Sequence, residues 1–181
     1  IVCGGLAGCS TALELAERGY RVVLLEAQRI AWGASGRSGG QAIVGFACSQ
    51  DKLIAQVGRE DARRMFDVTV EALDLIKERV AQHAIACDLH WGHLHTAIKP
   101  RQVDDLRAWQ EELERDYGYF GTRWLERDEL APVLTTDRYI GALRDDRSGH
   151  LHPLNYTLGI AAAAEAAGVK IYERSEVVGF D

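Results

Sequence analysis

Apolar positions near the start of the chain repeat with the period of a helix and then form a continuous run. The helical repeat predicts a helix over residues 6–18, and Gly19 is the residue expected to end it in a left-handed conformation. The run Val22–Leu25 is short and uniformly apolar, which is typical of a parallel strand buried on both faces. The apolar face of the predicted helix consists of Cys9, Ala12, Leu13 and Ala16.

The middle of the chain changes pattern twice. Residues 51–83 have helical periodicity, and Gly58 divides them into two predicted helices. Residues 90–98 alternate between apolar and polar positions, as a strand of an antiparallel sheet does. Residues 101–117 are again predicted to be helical. A helical segment followed by antiparallel strands indicates a second, inserted architecture.

The last third of the chain returns to alternating strands and helices. This order predicts an α/β domain that is interrupted by an α+β domain with an antiparallel sheet. The predicted parts are residues 1–48, the first part of the α/β domain; residues 49–148, the helical segment and part of a substrate domain; and residues 149–181, the return. The remaining predicted elements are a strand at 122–125, a helix at 126–134, a strand at 139–144, a turn at 149–153, a helix at 154–167, a strand at 169–172 and a strand starting at Val177.

Composition narrows the class of protein. The chain has 181 residues, of which 47% are hydrophobic, enough for a domain with a buried core. The net charge is −6 and no basic stripe is present, so nucleic acid is not an expected partner. No apolar run is long enough to span a membrane, and the four cysteines lack metal-site spacing. We therefore expect a cytoplasmic protein that has no metal site, with Cys3 and Cys9 as small buried hydrophobic residues.

The segment from Cys3 to Gly8 has the spacing of a phosphate-binding turn. A pyrophosphate needs backbone N–H groups and the positive end of a helix, and glycines at positions 5 and 8 allow that close approach. Glu26 ends the following strand, where an acid holds ribose hydroxyls and disfavours a 2′-phosphate. The first glycine of the pattern is replaced by Cys3, which is expected to strain the turn or to lower affinity. The segment predicts a dinucleotide site; its alternative is a glycine turn in an ordinary α/β unit.

Three motifs together resemble a known family. They are Leu24–Ala27, then the small-residue loop Trp32–Gln41, and then Gly149–Asn155. The sequence resembles the D-amino-acid-oxidase-like FAD oxidoreductases, most closely those of the γ-glutamylputrescine oxidoreductase type. The loop is the specific motif because NAD-binding Rossmann domains lack it, although the family usually has Asn in place of Ser38. The resemblance covers the whole chain and implies the N-terminal half of a longer protein, so the chain is expected to be truncated.

The resemblance implies FAD as the cofactor and a glutathione-reductase-type Rossmann domain as its binding fold. It places the pyrophosphate on the glycine turn, the adenosine ribose on the acid and its neighbour, and the flavin side on the small-residue loop. Val177 would contact the adenine through its backbone. For the loop the alternative is a flexible surface segment, and for Val177 it is an ordinary core position. The implied cofactor-binding residues are Gly5, Leu6, Ala7, Gly8, Glu26, Ala27, Ala34, Ser35, Arg37, Ser38, Gly39, Gly40, Gln41 and Val177.

The implied reaction is oxidation of the C–N bond of an amine or amino acid, with oxygen or another acceptor taking the electrons. A γ-glutamylputrescine-like amine is the first substrate hypothesis, and a D-amino acid, glycine or sarcosine is the second. Two further alternatives stay open: a non-catalytic, truncated dinucleotide-binding module, and an NAD-dependent dehydrogenase. Because the cofactor carries the difficult step, no catalytic side chain is demanded.

Other chemistry-bearing residues give weaker signals. His152 is a weak catalytic candidate that also fits a turn into a helix. His93 and His95 are predicted on one strand face, but without a third ligand they indicate no metal site. Asp145 and Asp146 are interpreted as a solvated turn. Trp32 and Trp91 are interpreted as core residues, with a position lining the pocket as the alternative.

Overall fold

The computed structural model describes residues 1–179, which form a mixed α/β structure of two compact units. Unit 1 contains Ile1–Gln41, Leu75–Leu89 and the described residues from Leu151 onward; unit 2 contains Ala42–Asp74 and His90–His150. The helices are α1 (Leu6–Glu17), α2 (Gln50–Val57), α3 (Arg59–Gln82), α4 (Pro100–Tyr117), α5 (Arg127–Leu130) and α6 (Pro153–Ala166). The strands are β1 (Val23–Leu25), β2 (Gln41–Ala42), β3 (His90–Ala97), β4 (Thr122–Glu126), β5 (Gly141–His150) and β6 (Lys170–Tyr172).

Unit 1 is built on a small parallel sheet. Strands β1 and β6 pair in parallel with Leu24 opposite Ile171, and Val2 adds a parallel bridge to Leu25. The predicted apolar face of α1 packs into the core together with Leu24 and with α6, whose Ile160 is fully buried. Burial of several large aliphatic side chains stabilises the unit by about 2 kcal/mol for each side chain.

The structure confirms the first helix and corrects the strand that follows it. Helix α1 ends one residue before the predicted limit, and Gly19 has the expected positive φ of 84°. The prediction that Val22–Leu25 is buried on both faces is wrong at Val23, which is 44% exposed. Leu24 is fully buried, so within unit 1 one face of the strand is buried and the face with Val23 is partly exposed.

The predicted strand at Val177 is wrong. The segment after β6 turns back toward the residues that follow β1: Arg174 N–H donates to the Gln28 carbonyl and Ser175 N–H to the Glu26 carbonyl. Two β-branched residues in sequence were the only signal for a strand, and no ladder partner is present within residues 1–179. Val177 therefore lies in irregular chain that follows a turn.

Unit 2 contains an antiparallel sheet around a long strand. Its order is β2-β5-β3, and β4 also pairs with β5. Strand β5 runs antiparallel to β3, with a register shift between Trp91 and His93. Gly58 divides the two predicted helices as expected, with a φ of 83°, and the predictions of β3, α4 and β4 are confirmed within a few residues.

Two boundaries in unit 2 differ from the prediction. The helix expected at 126–134 is only α5. Ala131 keeps helical backbone angles, with φ −54° and ψ −39°, but Pro132 has no N–H to continue the helical hydrogen bonds. The turn expected at 149–153 is wrong at its start, because Gly149 and His150 continue β5 and pair with β3. A Cβ at Gly149 would lie 2.2 Å from the His90 carbonyl oxygen, so this glycine permits close strand approach.

Asp145 corrects the interpretation of a solvated turn. Its side chain is 1% exposed and accepts hydrogen bonds from the Tyr119 hydroxyl at 2.7 Å and the Ser148 hydroxyl at 2.6 Å. The backbone N–H groups of Arg147 and Ser148 donate to the same carboxylate at 2.9 and 3.3 Å. Burial, and then the hydrogen bond to Asp145, raise the pKa of the Tyr119 hydroxyl well above its ordinary value. The hydroxyl therefore stays protonated and remains a donor. Asp146 is exposed, as predicted.

Candidate dinucleotide-binding site

The turn between the first strand residues and α1 contains backbone strain at Cys3. Its φ is +95°, in the region that favours glycine, which confirms the expectation that cysteine strains this position. The N–H of Cys3 donates to the Leu25 carbonyl at 2.9 Å, so the turn is fixed to β1. A Cβ at Gly8 would lie 1.8 Å from the Cys3 carbonyl oxygen, which shows how closely α1 packs on the turn.

The two cysteines near the turn have different surroundings. Cys9 is fully buried, and burial together with the nearby Cys3 and Glu26 raises the pKa of its thiol to about 11. The expectation of a buried residue is therefore confirmed for Cys9. It is wrong for Cys3, which is exposed.

The first turn of α1 presents free donors. The N–H of Leu6 donates to the Ser35 hydroxyl oxygen at 2.9 Å, whereas the N–H groups of Ala7 and Gly8 have no acceptor within residues 1–179. Unpaired N–H groups at the positive end of a helix are what an anionic phosphate requires. The turn fits a pyrophosphate on this observation.

Glu26 fits a ribose. The carboxylate is half-buried, with one oxygen accepting from Gly4 N–H at 2.6 Å and the other from Gln28 N–H at 2.8 Å. These bonds fix the orientation of the side chain. A carboxylate can accept about four hydrogen bonds, so the remaining lone pairs are available to two hydroxyl groups.

The small-residue loop is held at two places within unit 1. A 3-10 turn at Ala34–Gly36 carries the Ser35 hydroxyl to the start of α1. Farther along, the Leu151 N–H donates to the Gly40 carbonyl at 2.9 Å, immediately before α6. Gly40 has a φ of 68°, and a Cβ there would lie 2.0 Å from the Leu151 carbonyl oxygen. The loop is therefore anchored, and the link through Ser35 could not be read from spacing alone.

The remaining predicted residues of this site are placed in different ways. Within residues 1–179 no backbone hydrogen bond involves Val177, and its contact with the adenine stays a prediction. Trp32 is 56% exposed, which corrects its interpretation as a core residue, and its ring lies 4.6 Å from the Arg37 guanidinium carbon. The Ser38 hydroxyl oxygen accepts from Gly40 N–H at 3.4 Å. Most of the loop residues that are predicted to lie along the diphosphate and the flavin are exposed, namely Ala34, Arg37, Ser38, Gly39 and Gln41. Ala27, the predicted ribose neighbour, is exposed as well.

His152 has a structural role. It is the N-cap of α6. Its ring Nδ1 accepts a hydrogen bond from the backbone N–H of Asn155 at 3.2 Å, and its backbone N–H donates to the Cys87 carbonyl at 2.7 Å. One ring nitrogen is thereby used. Contact of His152 with substrate or flavin stays a prediction.

The histidines of β3 lie as alternation predicts. The rings of His93 and His95 are 4.6 Å apart, and His95 also packs edge-on against Trp109 at 4.8 Å. Within residues 1–179 no group of three His, Cys, Asp or Glu side chains is arranged to hold a metal ion. None of the described helices is both long and apolar enough to cross a membrane.

Replacing Cys3 with glycine is expected to stabilise the protein. Glycine adopts φ +95° without the cost of about 1–2 kcal/mol that a Cβ imposes. Glycine also makes the unfolded chain more flexible, which offsets part of this stabilisation. We expect a net increase of about 0.5–1 kcal/mol in the free energy of unfolding, measured by urea titration. Cys3→Ala is the matched control, since it removes the thiol and keeps the strain. Equal stability of the two variants would contradict this explanation.

Acidification is expected to weaken unit 2 through His95. Burial, and secondarily the charge of His93, lower the pKa of His95 below its ordinary value, against a smaller opposing effect of Asp145. His95 therefore binds a proton more readily in the unfolded chain than in the folded chain. The stability that comes from burying neutral His95 is present above pH 6.5 and is lost as the pH falls below 6.5. Urea midpoints at pH 7.5 and 5.5 should differ less in His95→Gln than in the unsubstituted protein. The exposed His150→Gln is the control, and an unchanged pH dependence in His95→Gln would refute the assignment.

Unit 1 has the α/β fold and the glycine turn that a dinucleotide-binding site requires. The profile of the family described as "FAD dependent oxidoreductase" (DAO) matches residues 1–181. The chain belongs to this family, which confirms FAD over NAD as the cofactor. The α/β fold, expected from the order of the elements and from the family resemblance, is confirmed as well.

Curated oxidoreductases are similar to this chain over nearly its whole length. "Probable oxidoreductase OrdL" of Haemophilus influenzae is 43% identical over 98% of the chain, and γ-glutamylputrescine oxidoreductase of Escherichia coli is 39% identical over 98%. The chain spans 41% of the length of each. Among solved structures, an L-amino acid deaminase from Proteus vulgaris superimposes with a TM-score of 0.76 at 28% identity, covering 96% of this chain and 43% of that one.

Proposed function

We propose that the protein oxidises the C–N bond of an amine or amino acid with FAD. The observation that carries the proposal is the anchored loop beside the free N–H groups of α1, in a chain of the FAD-dependent family. The 39% identity to γ-glutamylputrescine oxidoreductase supports a γ-glutamylated or similar extended amine as the substrate. The likeness to an L-amino acid deaminase supports an α-amino acid as the second candidate.

In this proposal unit 1 binds and orients the cofactor. The glycine turn and α1 hold the pyrophosphate with Gly5, Leu6, Ala7 and Gly8, while Glu26 and Ala27 hold the ribose and the Val177 backbone the adenine. The loop residues Ala34, Ser35, Arg37, Ser38, Gly39, Gly40 and Gln41 lie along the diphosphate and the flavin. Glycines and alanines at these positions let backbone donors approach closely.

When bound, FAD would supply the acceptor for a hydride from the carbon that bears the amine, and hydrolysis of the resulting imine would give an aldehyde or keto acid and ammonia. The protein's contribution is orientation, since holding the amine near the acceptor converts a bimolecular encounter into a unimolecular step. Oxygen or another acceptor would be needed to take the two electrons. We place the protein in the cytoplasm as part of the same proposal.

The test is anaerobic bleaching of the bound flavin by single amines. We expect γ-glutamylputrescine to bleach the flavin absorbance and to release one equivalent of ammonia for each flavin reduced. Bleaching by α-amino acids such as glycine, sarcosine or D-alanine, with no response to γ-glutamylputrescine, would favour the second substrate class. Retention of FAD with no bleaching by any amine would support a non-catalytic binding module.

A further inference from the structure

The contact between Trp32 and Arg37 is an exposed feature that packing does not explain. Trp32 is 56% exposed, and Arg37 is exposed beside it. The guanidinium carbon lies 4.6 Å from the indole centroid, within the range of a cation–π contact. An exposed tryptophan that holds a single cation buries little apolar area, so a role outside the core is indicated.

The stacked guanidinium keeps its donors free. Within residues 1–179, Arg37 forms no ion pair and its side chain forms no hydrogen bond, whereas Arg18 and Arg79 both bind Glu14. Stacking uses the flat face of the guanidinium and leaves the N–H groups at its edge. Within the described residues, Arg37 therefore presents a positive charge that no carboxylate pairs with, and its N–H donors are unused.

The position of Arg37 in the loop makes that charge useful to an anion. The preceding 3-10 turn is fixed to the start of α1 by Ser35, and the N–H of Arg37 closes this turn by donating to Ala34 at 3.1 Å. The helix start carries partial positive charge and free N–H groups. An anion that lies near both the helix start and Arg37 would be attracted by both.

We propose that Trp32 is a positioning residue that orients the Arg37 guanidinium toward a phosphate of the bound dinucleotide. This inference rests on the proposed function, because it assumes FAD in unit 1. A free arginine side chain loses rotamer freedom when it binds a phosphate, and prior stacking on Trp32 reduces that loss. Trp32 thus acts on affinity through Arg37.

The test compares FAD affinities of Trp32→Leu and Trp32→Phe, measured by flavin fluorescence titration. We expect Trp32→Leu to raise the Kd about tenfold and Trp32→Phe, which keeps an aromatic face, to raise it less than about threefold. Urea midpoints of the two variants should agree, which shows that the fold is intact in both. ADP, used as a competitor of FAD, should lose affinity in Trp32→Leu by the same factor, because it has the diphosphate without the flavin ring.

A double-mutant cycle separates positioning from direct contact. In an Arg37→Met background, Trp32→Leu should cause no further loss of FAD affinity. An equal loss in both backgrounds, or a loss for FAD without a loss for ADP, would overturn the inference, since Trp32 would then contact the cofactor itself. An unchanged Kd in Trp32→Leu would overturn it as well. Failure of the unsubstituted protein to bind FAD would overturn the proposed function and this inference together.

Discussion

Replacing Gly8 with alanine is expected to destabilise unit 1 by at least about 3 kcal/mol. The new Cβ would lie 1.8 Å from the Cys3 carbonyl oxygen, far inside van der Waals contact. Alanine is favoured over glycine inside a helix by about 1 kcal/mol, but this gain is smaller than the cost of moving α1 from the turn. The midpoint of urea unfolding followed by circular dichroism measures the effect.

Gly33→Ala is the matched control for this prediction. A Cβ at Gly33 meets no heavy atom within 4 Å, and we expect its free energy of unfolding to change by no more than about 0.5 kcal/mol. Similar midpoints for Gly8→Ala and Gly33→Ala would contradict the close packing of α1 on the turn. FAD affinity should fall together with stability only in Gly8→Ala.

Replacing Asp145 with alanine is expected to lower the free energy of unfolding by about 3–5 kcal/mol. Two hydroxyl groups and two backbone N–H groups would lose their acceptor where β5 departs from the register of β3. Buried donors without an acceptor cost about 1–3 kcal/mol each, and local relaxation of β5 at its register shift recovers part of this. Thermal or urea unfolding measures the loss.

Two variants isolate the effect of the buried carboxylate. Asp146→Ala removes exposed ion pairs with Arg123 and Arg144 and should cost at most about 1 kcal/mol. Tyr119→Phe removes one of the four hydrogen bonds to Asp145 and should cost about 1–2 kcal/mol. If Asp145→Ala were no more destabilising than Asp146→Ala, the hydrogen bonds to Asp145 would not stabilise the register shift in β5.

Sequence patterns predicted the elements whose signals are local. The helical repeat gave α1, and glycines with positive φ marked the ends at Gly19 and Gly58. Gly149 shows the limit of this reasoning, because a glycine that allows close strand approach has the same local signature as one in a turn. The strand expected at Val177 failed for a related reason, since a strand needs a partner that local sequence does not specify.

The candidate site shows the same division. The turn and the acid could be proposed from the sequence because a pyrophosphate and a ribose require those residue types at that spacing. The Ser35 hydroxyl at the start of α1 and the stacking of Trp32 on Arg37 depend on loop conformation, so spacing could not reveal them. Asp145 was missed because a pair of acids near a glycine resembles a solvated turn, and its donors come from residues as distant as Tyr119.

The most direct test of the account is FAD binding by the protein, followed by flavin fluorescence with NAD as a competitor. We expect one FAD for each chain, no displacement by NAD, and loss of FAD retention in Arg37→Ala with Gly39→Ala. A Cβ at Gly39 meets no atom within 4 Å, so this double variant should keep its fold. A folded protein that binds no FAD, that binds NAD equally well, or whose double variant retains FAD unchanged would contradict the assignment of this site.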